Sequence, residues 1–264
     1  GGHLTQQFAD PGCETDCTIQ FSPENSSIPV SGSSLALIPE GTFWMGCNPS
    51  EEESCEANNM PAHRVWLEPY YMDRYEVTVE RYAACVDAGI CNAPLEWNDD
   101  TLDGEKYTWN APQDNHLPIN GIEWDDAQTF CTYVGGRLPS EAEWEKAARG
   151  GCKLYGEENC DALTPDYPWG NEAPDCRLVS VASTDSLSCD PSHDKPWRVG
   201  TRPLGASPYG LMDMAGNLAE YVADYYDENY YASSLNNSNE YYTISPAGPE
   251  TGAERVIRGG SLFP

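Results

Sequence analysis

Gly136-Arg-Leu-Pro-Ser-Glu-Ala-Glu-Trp-Glu-Lys-Ala-Ala-Arg-Gly150 is the stretch on which the fold turns. Ser140 stands three residues ahead of Glu143, the spacing at which the two side chains satisfy each other's helix-start amides. Good helix formers fill 141–149, and Gly150-Gly151 ends the run. The pattern predicts a helix over 141–149. Arg137, Glu141 and Glu145 have the spacing to pair across or along its face, and Trp144 has the character of a core residue. The run is a scaffold element rather than a site.

Two further helices flank it on the N-terminal side. Residues 124–134 form one. Residues 76–86 form the other, with Thr78 as N-cap and apolar residues at 79, 82, 83 and 86. Leu35 to Trp44 is apolar around Pro39-Glu40-Gly41 and predicts a strand hairpin, and Arg255–Arg258 predicts a late strand. Residues 92–116 and 150–208 are irregular. With 23 glycines and 21 prolines, much of the backbone is expected to be loop. Residues 1–34 are polar and predict an N-terminal extension to a domain over 35–264.

The net charge is −29, from 43 acidic and 14 basic residues. A polyanion such as nucleic acid would be repelled. No apolar run reaches the roughly 18 residues of a membrane span, so no membrane insertion is expected. Carboxylate-rich surfaces favour hard divalent cations. The chain starts Gly1-Gly2-His3, which predicts a trimmed N-terminus.

Ten of the 11 cysteines are sequence neighbours: Cys13/Cys17, Cys47/Cys55, Cys85/Cys91, Cys152/Cys160 and Cys176/Cys189. Each pair brackets a short loop, which predicts local staples and an oxidising, secreted or cell-surface location. Cys131 is left over and predicts a free, buried thiol in the helix over 124–134. The four histidines lack zinc-ligand spacing.

Eight segments in order then carry a family resemblance. They include Ile38-Pro-Glu-Gly-Thr-Phe-Trp-Met-Gly46, Pro61-Ala-His-Arg-Val65 with Met72-Asp-Arg-Tyr-Glu-Val-Thr78, and Leu117-Pro-Ile-Asn-Gly-Ile122. The run at 136–150 follows, and then Tyr167-Pro-Trp-Gly-Asn171 and Val199-Gly-Thr-Arg-Pro203. Tyr209-Gly-Leu-Met-Asp-Met-Ala-Gly-Asn217 and Arg255-Val-Ile-Arg-Gly-Gly-Ser261 complete the set. Together they resemble the formylglycine-generating enzyme (sulfatase-modifying factor) family, in a disulfide-rich bacterial form. The resemblance implies an α+β fold, a C-type-lectin-like variant with little regular secondary structure. It also implies a calcium site on Asp213, Gly216, Leu218 and Glu220, with two carboxylates and two carbonyls as hard oxygen ligands. A second calcium site would fall near 176–190, where ligands do not map cleanly.

Catalytic members of that family oxidise a substrate cysteine with oxygen and Cu(I), held by two cysteines shortly after Gly-Gly-Ser. Soft thiolates suit Cu(I). Here Leu262-Phe263-Pro264 follows, Pro264 standing at the first cysteine position. Ala219 and Tyr221 replace the family's tryptophan pair. The family's final strands do not follow either. No copper and no catalytic residue are expected, and the expected role is a non-catalytic extracellular binding or structural module. The alternatives are a copper-dependent oxidase, if the chain continues, and a calcium-dependent glycan-binding module. Tyr225-Tyr226, Tyr230-Tyr231 and Tyr241-Tyr242 make 221–242 the expected contact surface. The missing strands predict an open sheet edge at 255–263, which residues 1–34 of a neighbouring copy would fill head to tail to build filaments. Asn25 and Asn236 begin glycosylation sequons.

Overall fold

Among the described residues, three small sheets and three principal helices are built around two apolar cores. A computed structural model describes residues 4–6, 13–14, 17–20, 34–47, 55–94, 107–109, 115–156, 160, 164–181, 195–237 and 242–261. Short strands open the fold: β1 (Leu4–Gln6), β2 (Cys13–Glu14), β3 (Thr18–Gln20), β4 (Leu35–Ile38) and β5 (Gly41–Met45). After β6 (His63–Leu67) and β7 (Tyr70–Asp73) come α1 (Val79–Asp87), α2 (Trp124–Tyr133), α3 (Glu141–Arg149) and the single turn α4 (Cys152–Tyr155). The chain ends with β8 (Ala219–Tyr225), α5 (Tyr230–Asn237), β9 (Thr243–Ile244) and β10 (Arg255–Arg258).

The sheet orders are β1-β10-β8-β2, β3-β7-β4 and β5-β6-β9. β4 and β5 are therefore not the two arms of a hairpin, as the sequence predicts. β4 pairs antiparallel with β7 and β5 with β6, so the Pro39-Glu40 corner passes the chain from one sheet to another. The buried Lys146 ammonium holds that corner by donating to the Pro39 and Gly41 carbonyls, each at 2.8 Å. Burial pushes the Lys146 pKa down to about 8.

β8 separates the cores through the two-residue period of a strand. Ala219, Tyr221 and Ala223 face the core built with Tyr82, Phe130 and Ile119 from the α1–α2 side. Val222 faces the other core, with Phe43, Val65, Met72 and Trp144. The predicted capping box of α3 is present, and Glu143 serves twice. It accepts from the Ser140 amide at 2.8 Å, and it holds the Arg137 guanidinium with two bonds of 2.7 and 2.6 Å. Arg137 thus pairs with Glu143 rather than with Glu141 or Glu145. Those two glutamates pair instead with Arg258 of β10, at 3.3 and 2.7 Å.

Two readings of the N-terminus are corrected. Residues 1–34 contribute strands to the domain rather than an appendage, since β1, β2 and β3 each join a sheet. β1 of the same chain pairs with β10 in register Leu4↔Ile257, so the edge expected to recruit a neighbouring copy is already covered. The basis for a head-to-tail filament is thereby removed. Cys17 is bonded to Cys131, 114 residues away, not to Cys13, and Cys131 is not a free thiol. The backbone brings the two together: Thr18 and Arg137 exchange amide bonds of 2.7 and 2.9 Å, which sets Cys17 against the buried side of α2. Cys47–Cys55, Cys85–Cys91 and Cys152–Cys160 are bonded. Cys176 is disulfide-bonded, while Cys189 and the Cys13 side chain lie outside the described residues, as do Asn25 and the Asn236 side chain.

Candidate metal centre at the start of β8

The segment 211–220 enters β8 through three left-handed residues, Asp213 (φ 61°), Gly216 (φ 81°) and Asn217 (φ 62°). Asparagine tolerates that conformation better than most residues, and more so when its side chain is held by hydrogen bonds. Asn217 does so fully: Oδ1 accepts from the Trp197 amide at 2.9 Å, and Nδ2 donates to the Trp197 carbonyl at 3.2 Å and to Glu76 Oε2 at 2.6 Å. Glu76 Oε1 accepts from the Leu218 amide at 3.2 Å. The Gly216 amide donates to the Gly259 carbonyl, and a side chain at Gly216 would collide with the Ser180 carbonyl at 2.4 Å.

Around this loop three carboxylates are taken out of water: Glu76, Asp213 and Glu220. None of them makes an ion pair among the described residues. Burial, reinforced by Asp213 and Glu220, pushes Glu76 well above the usual carboxylate range. Burial pushes Asp213 up to about 6 and Glu220 up to about 8, with the Asp213 charge adding to the latter. Glu220 Oε2 accepts from the Trp144 indole at 2.7 Å, while Glu220 Oε1 is buried without a hydrogen-bond partner. An unpaired buried charge of this kind is costly unless something positive compensates it.

The four residues expected to hold calcium are partly brought together. A Cβ placed on Gly259 would sit 3.6 Å from the Leu218 carbonyl oxygen and 3.8 Å from Glu220 Oε1, so those two oxygens border one small empty space. Asp213 acts on the same carboxylate electrostatically, and its Oδ2 accepts from the Gly200 amide. Among the described residues no three His, Cys, Asp or Glu side chains converge as a cage, so a cation here would rely on carbonyl oxygens and water as well. An orphaned carboxylate oxygen beside a carbonyl suits a hard cation. Sequence reasoning missed Glu76, Trp144 and Gly259 as parts of this cluster. Glu76 sits between Tyr75 and Val77, and an acidic residue between apolar neighbours is the signal that could have found it.

The tyrosines expected to form a contact surface over 221–242 are buried or half-buried where described, Tyr225 and Tyr242 among the half-buried ones. Tyr221 and Tyr231 are buried, Tyr226 and Tyr230 pack against the core, and Tyr241 lies outside the described residues. Trp169 stacks on Tyr167 with centroids 5.0 Å apart. No described helix is long and apolar enough to cross a membrane.

Mixed α/β architecture, disulfide-stapled loops and this β8 turn define the class: the chain belongs to the sulfatase-modifying factor enzyme 1-like domain family, whose model matches residues 22–264. It is similar to the formylglycine-generating enzyme of Thermomonospora curvata, with 31% identity over 87% of this chain and 82% of that protein. It is also 32% identical to the formylglycine-generating enzyme of Streptomyces coelicolor, over 91% of this chain and 82% of the other. Among solved structures, PvdO from Pseudomonas aeruginosa shares the fold, with a TM-score of 0.62 at 22% identity over 86% of this chain and 82% of that one.

Proposed function

We propose that the chain uses the formylglycine-generating scaffold as a non-catalytic extracellular binding module braced by calcium. The observation that carries this is Ala219. It stands where the resemblance places one of the tryptophans, it is buried, and it is paired with Cys13 of β2. A buried methyl group beside a paired strand stands at that position. Tyr221, at the other tryptophan position, is turned into the core beside Ile257. Pro264, at the position of the first copper-binding cysteine, offers no thiolate. The four described disulfides support an oxidising location. Calcium is supported by the orphaned Glu220 Oε1 and the adjoining Leu218 carbonyl.

The test is direct. The protein is loaded with Cu(I) and incubated in air with a cysteine-containing substrate peptide, and aldehyde is measured by hydrazine labelling. No aldehyde above the copper-free control is expected, and copper-dependent aldehyde formation overturns the reading. The oxidase is the second reading, favoured by the names of the two relatives above.

A further inference from the structure

A cavity of about 320 Å³ lies between the Cys47–Cys55 disulfide, one face of α3 and the turn at 166–168. That volume is in the range of pockets that hold small molecules. Its lining includes Trp144, Ala148 and Met214, which make an apolar floor. Gly259 separates it from the β8 cluster.

The charges that line this cavity divide into two sets. Arg149 and Arg258 direct their guanidinium groups to protein partners. Arg149 donates to Glu145 at 3.1 Å, to the Gly46 carbonyl at 3.0 Å and to the Pro165 carbonyl at 2.8 Å. Arg258 donates to Glu141 and Glu145. Glu145, in turn, accepts from both arginines and from the Gly46 amide at 2.8 Å. The second set consists of acceptors on the lining. Asn59 is 7% exposed and its Oδ1 has no hydrogen-bond partner among the described residues. Glu56 and Asp166 are exposed lining carboxylates, so they stand at the mouth. A buried acceptor left unmet is costly, and a ligand that donates to it recovers that cost.

We infer that this cavity binds an alkylammonium group, supplied either by a free amine or by a lysine side chain of a partner polypeptide. The ammonium donates to Asn59 Oδ1 under the field of Glu56 and Asp166, and the alkyl stem lies on Trp144 and Met214. The chain's net charge of −29 draws such cations toward the mouth. Carboxylate ligands are excluded by the same field, because both arginines already hold glutamates. The inference does not rest on the non-catalytic reading; of the residues that meet the ligand, it shares with the calcium cluster only Trp144, whose indole donates to Glu220.

Titration calorimetry of the protein with n-butylammonium, n-butanol and n-butyrate tests this. Binding of n-butylammonium in preference to the other two is expected. Asn59→Leu should weaken it on the order of ten-fold or more, with the melting temperature held near the wild-type value. If Asn59→Leu does not fold, the double variant Glu56→Gln/Asp166→Asn carries the test, with a few-fold loss at low salt that vanishes at high salt. A blocked Gly-Lys-Gly peptide distinguishes the sources: peptide binding like that of the amine points to a polypeptide, and amine binding alone to a small molecule. No heat with n-butylammonium, equal binding of n-butyrate or n-butanol, or binding untouched in either variant overturns the inference.

Discussion

Arg258 is buried, and it holds Glu141 and Glu145 of α3 while lying 5.1 Å over the Trp144 ring. Together with Arg149 on Glu145, the cluster ties β10 to the helix with its charges matched. Removing one partner of a buried pair costs more than the pair contributes, because a charge is left without compensation. Arg258→Met is expected to destabilise by about 3–5 kcal/mol, read by urea denaturation. Asp224 behaves oppositely. Its Oδ2 accepts from the Glu141 amide at 2.8 Å, but burial and then the Glu141 charge push its pKa from 3.8 to about 8. Across that window the folded chain keeps a proton that the unfolded chain has released, so this residue's contribution to stability falls as pH rises. Asp224→Asn keeps an acceptor for the amide and removes the titration. The variant should melt a few degrees above wild type at pH 8 and level with it at pH 4.

At the scale of elements, the staple between the strand-β3 segment and α2 closes by far the longest loop of the four described disulfides, with a sequence separation of 114 against 8, 6 and 8. In the chain-entropy account a bridge stabilises more the longer the loop it closes. Cys17→Ser/Cys131→Ser is expected to cost about 4–5 kcal/mol, more than loss of Cys85–Cys91, by denaturant titration under non-reducing conditions. Non-reducing peptide mapping should recover the Cys17–Cys131 link. Recovery of a Cys17 peptide joined to another cysteine would contradict the pairing. The backbone exchange between Thr18 and Arg137 belongs to the same junction. The Arg137 side chain also reaches Thr18 Oγ1 at 3.0 Å, so the α3 start, the α2 end and the N-terminal strand are fixed at one point.

For the whole molecule, Glu76, Asp213 and Glu220 are three buried carboxyl groups without an ion pair among the described residues, and calcium is the proposed counter-charge to their ionised forms. A ligand that binds only the folded state stabilises by mass action. Millimolar calcium should raise the melting temperature of chelator-treated protein by several degrees, and more at pH 8 than at pH 5. At the lower pH the cation competes with protons on Asp213, titrating near 6, and Glu220, titrating near 8. Glu220→Gln should abolish the response, seen by differential scanning calorimetry. An unchanged melting curve with calcium at pH 8 would remove the metal from the proposed function.

Much of this molecule was set by local sequence. The α3 capping box, the Thr78 cap of α1, the span of α2 and the short bridges Cys47–Cys55, Cys85–Cys91 and Cys152–Cys160 depend on residues within a few positions of each other, so their spacing carries the information. The order of motifs likewise carried the family. Tertiary structure alone decided what depends on distant approach. The partner of Cys131 lies 114 residues away, Glu76 reaches Asn217 across 141, and the arginine for Glu141 and Glu145 comes from β10. The Pro39 corner joins two sheets because β6 and β7 offer separate edges to β5 and β4. Such contacts have no fixed spacing, because they arise where buried surfaces meet, and only the folded chain brings those surfaces together.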